Sequence, residues 1–576
     1  MKKKLPRIDL HLLPGSAGEY IKSVIKKMRY RKKVREEVLA ELASDFEAEL
    51  KECTSEEQKQ QRSRQFVEEF GDAKLLGILL RRAKKRCRPL WRTVVARTFQ
   101  AILVSILCFI VYVGWFITGK PTINVDYIAQ FNELSKPEIS EQENAWQNYE
   151  KAMELYVEPN EAIEGIKSLV SFSGQTDFGQ LNEIQQNEIK RWINENQPAW
   201  QQYMEAGRKP YFYTKYETGP REEEKLVLFI LLPYIPPLRD LSRSGIWQSR
   251  LMMSQGKIEQ AIENCLAVIR TGNHFYSKEN IIEQLVGVAL KKMGCEQIIQ
   301  IVATNKLSLE EIILLKQQLS ALYSKSCKNV DLAGERLMFL DVVQHMFTQG
   351  GPGGGHFVPG SLSVIQEDID YVDDLFDDFF DYFSIGDSKI VKNITNVGAG
   401  LLHAGRDDTL AQAYRLFDRQ EELLKMTPYQ QYLLNDGREL DDDELLSSLS
   451  EHKYFLIHWF SPSIRAISIR VNNERVINRA LITILALEQW HLEQGDYPEV
   501  LDELVEAGLL EQLPMDPWSD EPLIYKKTDD SFILYGVGRN FKDDHGQAVR
   551  DDNGNINLLS EEGDWVFWPV QQPEKK

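Results

Sequence analysis

Acidic and amide side chains crowd the segment between residues 540 and 564, close to the C-terminus. Their oxygens are the hard ligands of which Ca²⁺ takes about six to eight. The alternative interpretation is a polar surface loop in which these side chains only stabilise turns. The side chains concerned are Asn540, Asp543, Asp544, Asp551, Asp552, Asn553, Asn555 and Asp564.

An EF-hand is the one standard calcium motif that this segment partly matches. Asp551, Asn553 and Asn555 stand at the first, third and fifth positions of such a loop, and Glu562 stands at the twelfth. However, Ile556 occupies the position at which the sharp turn of an EF-hand requires glycine. The sequence therefore excludes an EF-hand.

The sequence contains no complete motif of a hydrolytic or phosphate-binding enzyme. The chain contains neither His-Glu-x-x-His nor Gly-x-Ser-x-Gly. Gly114–Lys120 has the spacing of a phosphate-binding loop, but Pro121 replaces the Ser or Thr that the loop requires. The nine His are scattered, and Cys265, Cys295 and Cys327 form no Cys-x-x-Cys pair. Asp and Glu are so abundant that a carboxylate pair for hydrolysis stays open as an alternative.

Charge is unevenly divided along the chain. The 576 residues have a net charge of −19, yet residues 1–97 carry 25 Lys and Arg against 14 Asp and Glu.

The length predicts about two to four folded units. The hydrophobic and charged fractions, 43% and 27%, exclude a disordered or collagen-like chain. Six cysteines are too few for a disulfide scaffold.

A charge-free segment, TFQAILVSILCFIVYVGWFITG, runs from Thr98 to Gly119. About 20 helical residues span a hydrocarbon core about 30 Å thick, so residues 98–118 are predicted to be a transmembrane signal-anchor helix. Eight Arg and Lys crowd residues 81–97, and cationic flanks stay cytoplasmic. We therefore expect a single-pass protein of the bacterial inner membrane, with a cytoplasmic N-terminus and residues from about 120 to 576 in the periplasm. Two shorter apolar stretches, Leu226–Leu238 and Ala480–Leu487, are predicted to be core segments.

Residues 1–97 are predicted to be a basic cytoplasmic head, with two helices in 31–86 and a break at Gly71–Asp72 in the second. The acidic first helix, the Phe-x-x-x-Phe-Gly-Asp motif from Phe66 to Asp72 and the Leu-rich run after it resemble the HAAS, or permease-prefix, domain of bacterial membrane proteins. The resemblance implies an interaction or regulatory module. Beside a membrane, the basic run Lys26–Lys33 favours anionic lipid as its partner, and no nucleic acid is expected.

Residues 120–460 are predicted to form an acidic, helical external domain. A helical hairpin over 239–272, with its turn at Ser254–Gly256, is similar to one tetratricopeptide-like hairpin. Gly294 is a candidate turn of a second hairpin. Residues 349–361 are so rich in Gly and Pro that they are predicted to be a flexible loop. An acidic helix over 370–383 is predicted to follow, with an Asp stripe beside a Phe stripe.

Residues 465–569 are predicted to form a small α+β module. A long helix ends at Gln494–Gly495, and the turn Leu513–Trp518 follows. Two β-like runs, Leu523–Lys526 and Phe532–Gly538, come next. The segment Gly563–Trp568 closes the module.

This order resembles the globular head of the major pseudopilin of type II secretion. The shared elements are a helix ending in Tyr-Pro, a Pro-x-Asp-Pro-Trp turn, a Tyr-x-Val-Gly strand end and a closing Asp-x-x-x-Trp. The resemblance implies a structural Ca²⁺ site, with Asn540 and Asp564 as the best-matched ligands and with Asp543 and Asp544 completing the predicted set. The head and anchor that precede the module depart from the family, so the chain is not expected to polymerise as a pilus.

These patterns predict a mainly α fold with one transmembrane helix, an external region of helical hairpins and a C-terminal α+β module. We expect a non-catalytic envelope scaffold or transmembrane adaptor with membrane lipid and as yet unidentified proteins as partners. One alternative is a membrane-tethered hydrolase that uses carboxylates in a cleft. The other is a regulator that passes an external signal to the head.

Overall fold

The part of the chain that the structure describes is mostly helical, as predicted, with 66% helix and 4% strand. The structure is a computed structural model that describes residues 10–86, 90–138, 140–160, 165–171, 176, 178–218, 226–230, 232–324, 329–361, 400–549 and 562–570. The predicted acidic helix over 370–383 lies outside these residues. Contacts divide the chain into two compact units, Met1–Trp115 and Phe116–Lys576.

The first unit begins with four helices: α1 (Gly15–Met28), α2 (Lys32–Leu50), α3 (Glu56–Phe70) and α4 (Ala73–Arg86). Its core contains Phe46, whose ring lies 4.9 Å from that of Phe66. The helix break predicted at Gly71–Asp72 is present, because Gly71 adopts a positive φ of 76° and Asp72 caps the next helix by accepting the N–H of Leu75 at 2.8 Å. Helix α1 was not predicted, because basic residues such as Lys26 and Lys27 interrupt the apolar pattern of its sequence.

The helix α5 (Leu90–Ile117) follows the head. Its portion Val94–Ile117 is long and apolar enough to cross a membrane, and only 6% of the most apolar stretch is buried within the protein. This result agrees with the charge-free segment in the sequence. Among the described residues, no other helix has this length and composition.

The second unit is a helical body with a small sheet at its C-terminal end. Within the described residues, ten α-helices with assigned bounds come before residue 362: α6 (Tyr127–Ser135), α7 (Trp146–Glu154), α8 (Ile166–Ser171), α9 (Glu183–Glu195), α10 (Gln197–Gly207), α11 (Ile235–Ser254), α12 (Ile258–Tyr276), α13 (Ile281–Thr304), α14 (Leu309–Ser324) and α15 (Ala333–Met346). Six more such helices follow: α16 (Arg406–Leu424), α17 (Pro428–Leu434), α18 (Asp442–Leu446), α19 (Phe455–Phe460), α20 (Ile464–Gln494) and α21 (Asp502–Glu506).

The hairpin predicted over 239–272 corresponds to α11 and α12, which are joined at Gln255–Lys257 around Gly256 with a φ of 74°. The interpretation of Gly294 as a second turn was wrong, because Gly294 lies inside the continuous helix α13. A Cβ atom there would lie 2.5 Å from Cγ1 of Ile269 on α12. The glycine serves the close packing of two helices and not a turn.

The Gly-rich segment 349–361 is a loop that follows α15. Its base is an antiparallel bridge between Phe347 and Phe357, and the Thr348 N–H donates to the His356 carbonyl at 3.0 Å. The Gly355 carbonyl accepts the N–H of Arg406 at 3.0 Å, which ties the loop to the start of α16. Several of its glycines have positive φ, so the backbone path itself requires them. Its predicted flexibility stays a prediction.

The C-terminal sheet has three antiparallel strands in the order β1 (Ile524–Lys527), β2 (Phe532–Gly536) and β3 (Trp565–Trp568). β1 and β2 lie close to the two predicted β-like runs, and β3 lies in the closing segment Gly563–Trp568, for which no strand was predicted. The helix α20 packs against α13, α14, β2 and β3, so that the hairpins and the sheet share one apolar core. The apolar stretches Leu226–Leu238 and Ala480–Leu487 also contribute to this core, as predicted. The proposed domain boundary near residue 465 falls inside this single compact unit and stays a prediction.

Candidate metal loop and buried ionic clusters

The turn that precedes the sheet is held by the buried carboxyl group of Asp516. One carboxyl oxygen accepts the N–H of Trp518 at 3.0 Å, and the other accepts the N–H of Val537 at the end of β2 at 2.8 Å. Burial raises the pKa of Asp516 to about 6, in spite of these two hydrogen bonds. A Cβ atom on Gly536 would lie 2.7 Å from this carboxyl group, so only glycine fits there. Asp516 therefore fastens the turn to the strand.

Asp564 organises the loop that was predicted to bind calcium. It is 1% exposed, and its two carboxyl oxygens accept the N–H of Asp544 at 3.1 Å and of Gly546 at 2.6 Å. Its own N–H donates to the carbonyl of Gln547 at 2.8 Å. Burial and the nearby carboxylates of Asp543 and Asp544 raise the pKa of Asp564.

The other predicted ligands also take part in hydrogen bonds of the loop. The Asn540 amide donates to the Asp544 carboxylate at 2.6 Å. The Asp543 carboxylate accepts the hydroxyl of Tyr535 at 3.0 Å and the N–H of His545 at 2.8 Å. The structure thus brings Asn540, Asp543, Asp544 and Asp564 to one end of the sheet.

The chemistry of this donor set is that of a structured acidic turn. Among the described residues, no group of three or more His, Cys, Asp or Glu side chains is arranged to hold a metal ion. Backbone N–H groups occupy both carboxyl oxygens of Asp564, the best-matched ligand. The four further oxygen-bearing side chains of the loop, at positions 551, 552, 553 and 555, lie outside the described residues.

A second polar cluster lies in the helical body around Lys278 and Glu283, at the start of α13. Both side chains are buried, and the ammonium nitrogen lies 4.0 Å from a carboxylate oxygen. That carboxylate also accepts the hydroxyls of Tyr216 at 2.5 Å and of Tyr234 at 2.8 Å. The ammonium group lies 4.0 Å from the ring centre of Phe212, which stabilises the cation. Burial lowers the pKa of Lys278 and raises that of Glu283.

A third cluster joins α13 to α20. The Lys291 ammonium lies 3.4 Å from the Glu474 carboxylate, and both side chains are buried. The ammonium group also lies 4.6 Å from the ring centre of Tyr323, whose hydroxyl is 3.1 Å from the Cys295 sulfur. Desolvation raises the pKa of both Cys295 and Tyr323, so neither is poised as a nucleophile near neutral pH.

Glu335 is a buried carboxyl group on α15 with few hydrogen bonds. One oxygen accepts the N–H of Ile281 at 2.9 Å, while the other has no hydrogen-bond partner. Burial raises the pKa of Glu335 to about 8. The group is therefore largely protonated at neutral pH.

Sequence reasoning missed these buried clusters for a physical reason. The tyrosines whose hydroxyls donate to the Glu283 carboxylate lie 49 and 67 residues away along the chain. Helical periodicity reports which face of one helix is apolar, but it carries no information on which distant side chains meet it. Asp516, in contrast, could have been identified from the sequence, since it lies in the Pro-x-Asp-Pro-Trp turn described above.

No protein family, no curated protein and no solved structure matches the chain.

Proposed function

We propose that the chain is a single-pass protein of the bacterial inner membrane that holds a large external body as a non-catalytic scaffold or adaptor. The observation that carries the proposal is the apolar helix Val94–Ile117, which is almost unburied within the protein. At about 1.5 Å per residue its length matches a hydrocarbon core of about 30 Å. The basic head favours a cytoplasmic N-terminus, with residues from about 120 to 576 outside.

The buried carboxylates favour a scaffold over the hydrolase alternative. Glu283 is 0% exposed, Glu474 is 3% exposed, and each is paired with a buried lysine. A hydrolytic carboxylate must reach substrate and water in a cleft. These groups instead join helices inside the core, which suits a rigid body that presents its surface to partners.

The membrane assignment is tested by placing a charge at the centre of the span. Ile106→Arg is expected to reduce membrane integration, because a charged side chain at that depth costs about 3 kcal/mol or more. Ile106→Leu is the matched control and should integrate like the natural chain. The measurement is retention in the membrane fraction after alkaline extraction, together with protease access from the periplasmic side of spheroplasts. Equal retention of both variants would contradict the proposal.

The adaptor role is tested by crosslinking the full-length protein in cells and identifying what it captures by mass spectrometry. Specific partners on both membrane faces support an adaptor. External partners alone support an envelope scaffold. Capture of membrane lipid without any reproducible protein partner would contradict both roles.

Calcium stabilisation, the pseudopilin-like module and the permease-prefix-like head stay predictions. If the loop binds Ca²⁺, the melting temperature of the full chain in detergent rises with Ca²⁺ relative to a chelator. Asp564→Ala then abolishes the rise, while Asp502→Ala on the exposed first turn of α21 preserves it. An identical melting temperature with Ca²⁺ and with chelator would exclude the structural calcium site.

A further inference from the structure

Helix α4 has a second apolar face that the head does not cover. Leu76, Gly77 and Leu80 face inward, where Gly77 approaches the Val24 carbonyl so closely that a Cβ atom would lie 3.0 Å from it. On the opposite side, three large apolar side chains are exposed to solvent. They are Leu75 at 59%, Ile78 at 38% and Leu79 at 51%.

Two arginines extend this face towards the C-terminal end of α4. Residues 75, 78, 79, 82 and 86 recur at intervals of three and four, so they follow one line along a helix. Arg82 and Arg86 are both exposed. We call Leu75, Ile78, Leu79, Arg82 and Arg86 together the α4 stripe. Its first half is apolar and its second half is cationic.

The position of the α4 stripe in the chain indicates what covers it. Only three residues separate Arg86 from Leu90, the first residue of the membrane-crossing helix α5. Trp91 follows with 61% of its surface exposed, and tryptophan is enriched where protein crosses the membrane interface. An apolar and cationic stripe this near a span lies within reach of lipid headgroups.

We propose that the α4 stripe docks on the anionic lipid surface of the cytoplasmic leaflet. This inference rests on the proposed membrane anchorage and adds that the head lies on the bilayer through α4. The leucines and isoleucine enter the boundary between headgroups and acyl chains, as in amphipathic interfacial helices. Arg82 and Arg86 bind lipid phosphates, and clustered basic residues beside a span are attracted to anionic lipid.

The test uses the full chain in nanodiscs made of phosphatidylcholine alone or of phosphatidylcholine with phosphatidylglycerol. A nitroxide label is placed on Leu79→Cys in a background that lacks the native cysteines. A second sample carries the label on the native Cys108, in the middle of the span. Oxygen and a water-soluble nickel complex then report whether each label contacts lipid or water.

We expect the label at position 79 to be accessible to oxygen and shielded from nickel in the anionic nanodiscs. Arg82→Glu with Arg86→Glu should return the label to water. Lys51→Glu with Arg64→Glu makes the same change in charge at exposed positions outside the stripe and should leave the label in lipid. The label on Cys108 should report lipid in every sample.

Three results would overturn the inference while the Cys108 label stays in lipid. The label at position 79 could face water in anionic nanodiscs. It could be shielded from both reagents, which would mean that protein covers the stripe. It could enter lipid equally well after charge reversal, which would exclude headgroup recognition. A Cys108 label in water would instead refute the membrane anchorage itself.

Discussion

Buried ionisable side chains are the most unusual feature of the helical body at the scale of single residues. Lys278 lies 4.0 Å from Glu283 and over the ring of Phe212, and Lys291 lies 3.4 Å from Glu474. Removing one member of such a pair lowers the free energy of unfolding by more than the pair contributes to it, because the remaining charge stays buried. The pair of Lys291 and Glu474 therefore favours the packing of α13 against α20, even where it adds little net stability.

Glu335 makes stability depend on pH. Its pKa is raised from an ordinary 4.5 to about 8, so the folded protein binds a proton that the unfolded chain has lost between these values. The stabilisation is complete below about pH 4.5 and is lost as the pH rises through about 8. Glu335→Gln should remove up to about 4 kcal/mol of this pH dependence.

The measurement for Glu335 is the free energy of unfolding of the body in detergent between pH 5 and pH 9. Glu310→Gln, on the exposed first turn of α14, is the matched control and should keep the pH dependence of the natural chain. Parallel pH profiles for the natural chain and Glu335→Gln would show that this carboxyl group does not titrate as proposed.

At the scale of secondary-structure elements, two glycines determine how closely α12 and α13 approach each other. A Cβ atom on Gly272 would lie 2.8 Å from the Gly287 carbonyl, and one on Gly287 would lie 2.5 Å from the Gly272 carbonyl. The two backbones therefore pass each other with no room for a side chain. α13 also packs against α11 and α20, which explains why it is buried on several sides.

Gly287→Ala should destabilise the body by about 2–3 kcal/mol, because the added methyl group forces the two helix backbones apart. Gly179→Ala provides the control, since a Cβ atom there meets nothing within 4 Å and the change should stay within about 0.5 kcal/mol. Chemical denaturation of both variants measures the difference. An equal, small effect at both positions would disprove the close approach.

The helices illustrate what a single sequence can predict. The turn at Gly256 and the break at Gly71 were predictable, because each glycine lies between two segments with clear helical periodicity. Gly294 was misread because a glycine needed for close packing looks the same in one sequence as a glycine needed for a turn. The acidic loop was located by its composition, but its hydrogen bonds to Asp564 depend on backbone geometry that composition does not encode.

Two compact units are the main feature at the scale of the whole molecule, one over Met1–Trp115 and one over Phe116–Lys576. Each has its own apolar core, the first around Phe46 and the second shared by the hairpins and the sheet. A unit with a complete core of its own folds without help from the other.

Deleting residues 1–86 should therefore leave the melting transition of the body unchanged. Deleting residues 496–576 should lower that transition sharply or abolish it, because the sheet belongs to the same core as the hairpins and packs against α20. Differential scanning calorimetry in detergent distinguishes the two truncations. A body that melts earlier without the head would contradict the independence of the units.

The position of α20 also has a consequence for biosynthesis. This 31-residue helix, roughly 45 Å long, covers α13 and α14 but begins only at residue 464, more than three-quarters of the way along the chain. While the ribosome extends the chain, the faces of α13 and α14 that await α20 stay uncovered. Such faces attract chaperones and favour aggregation until the last segments emerge. Premature stop codons in this region should thus yield products that proteases remove, even though most helices have already been synthesised.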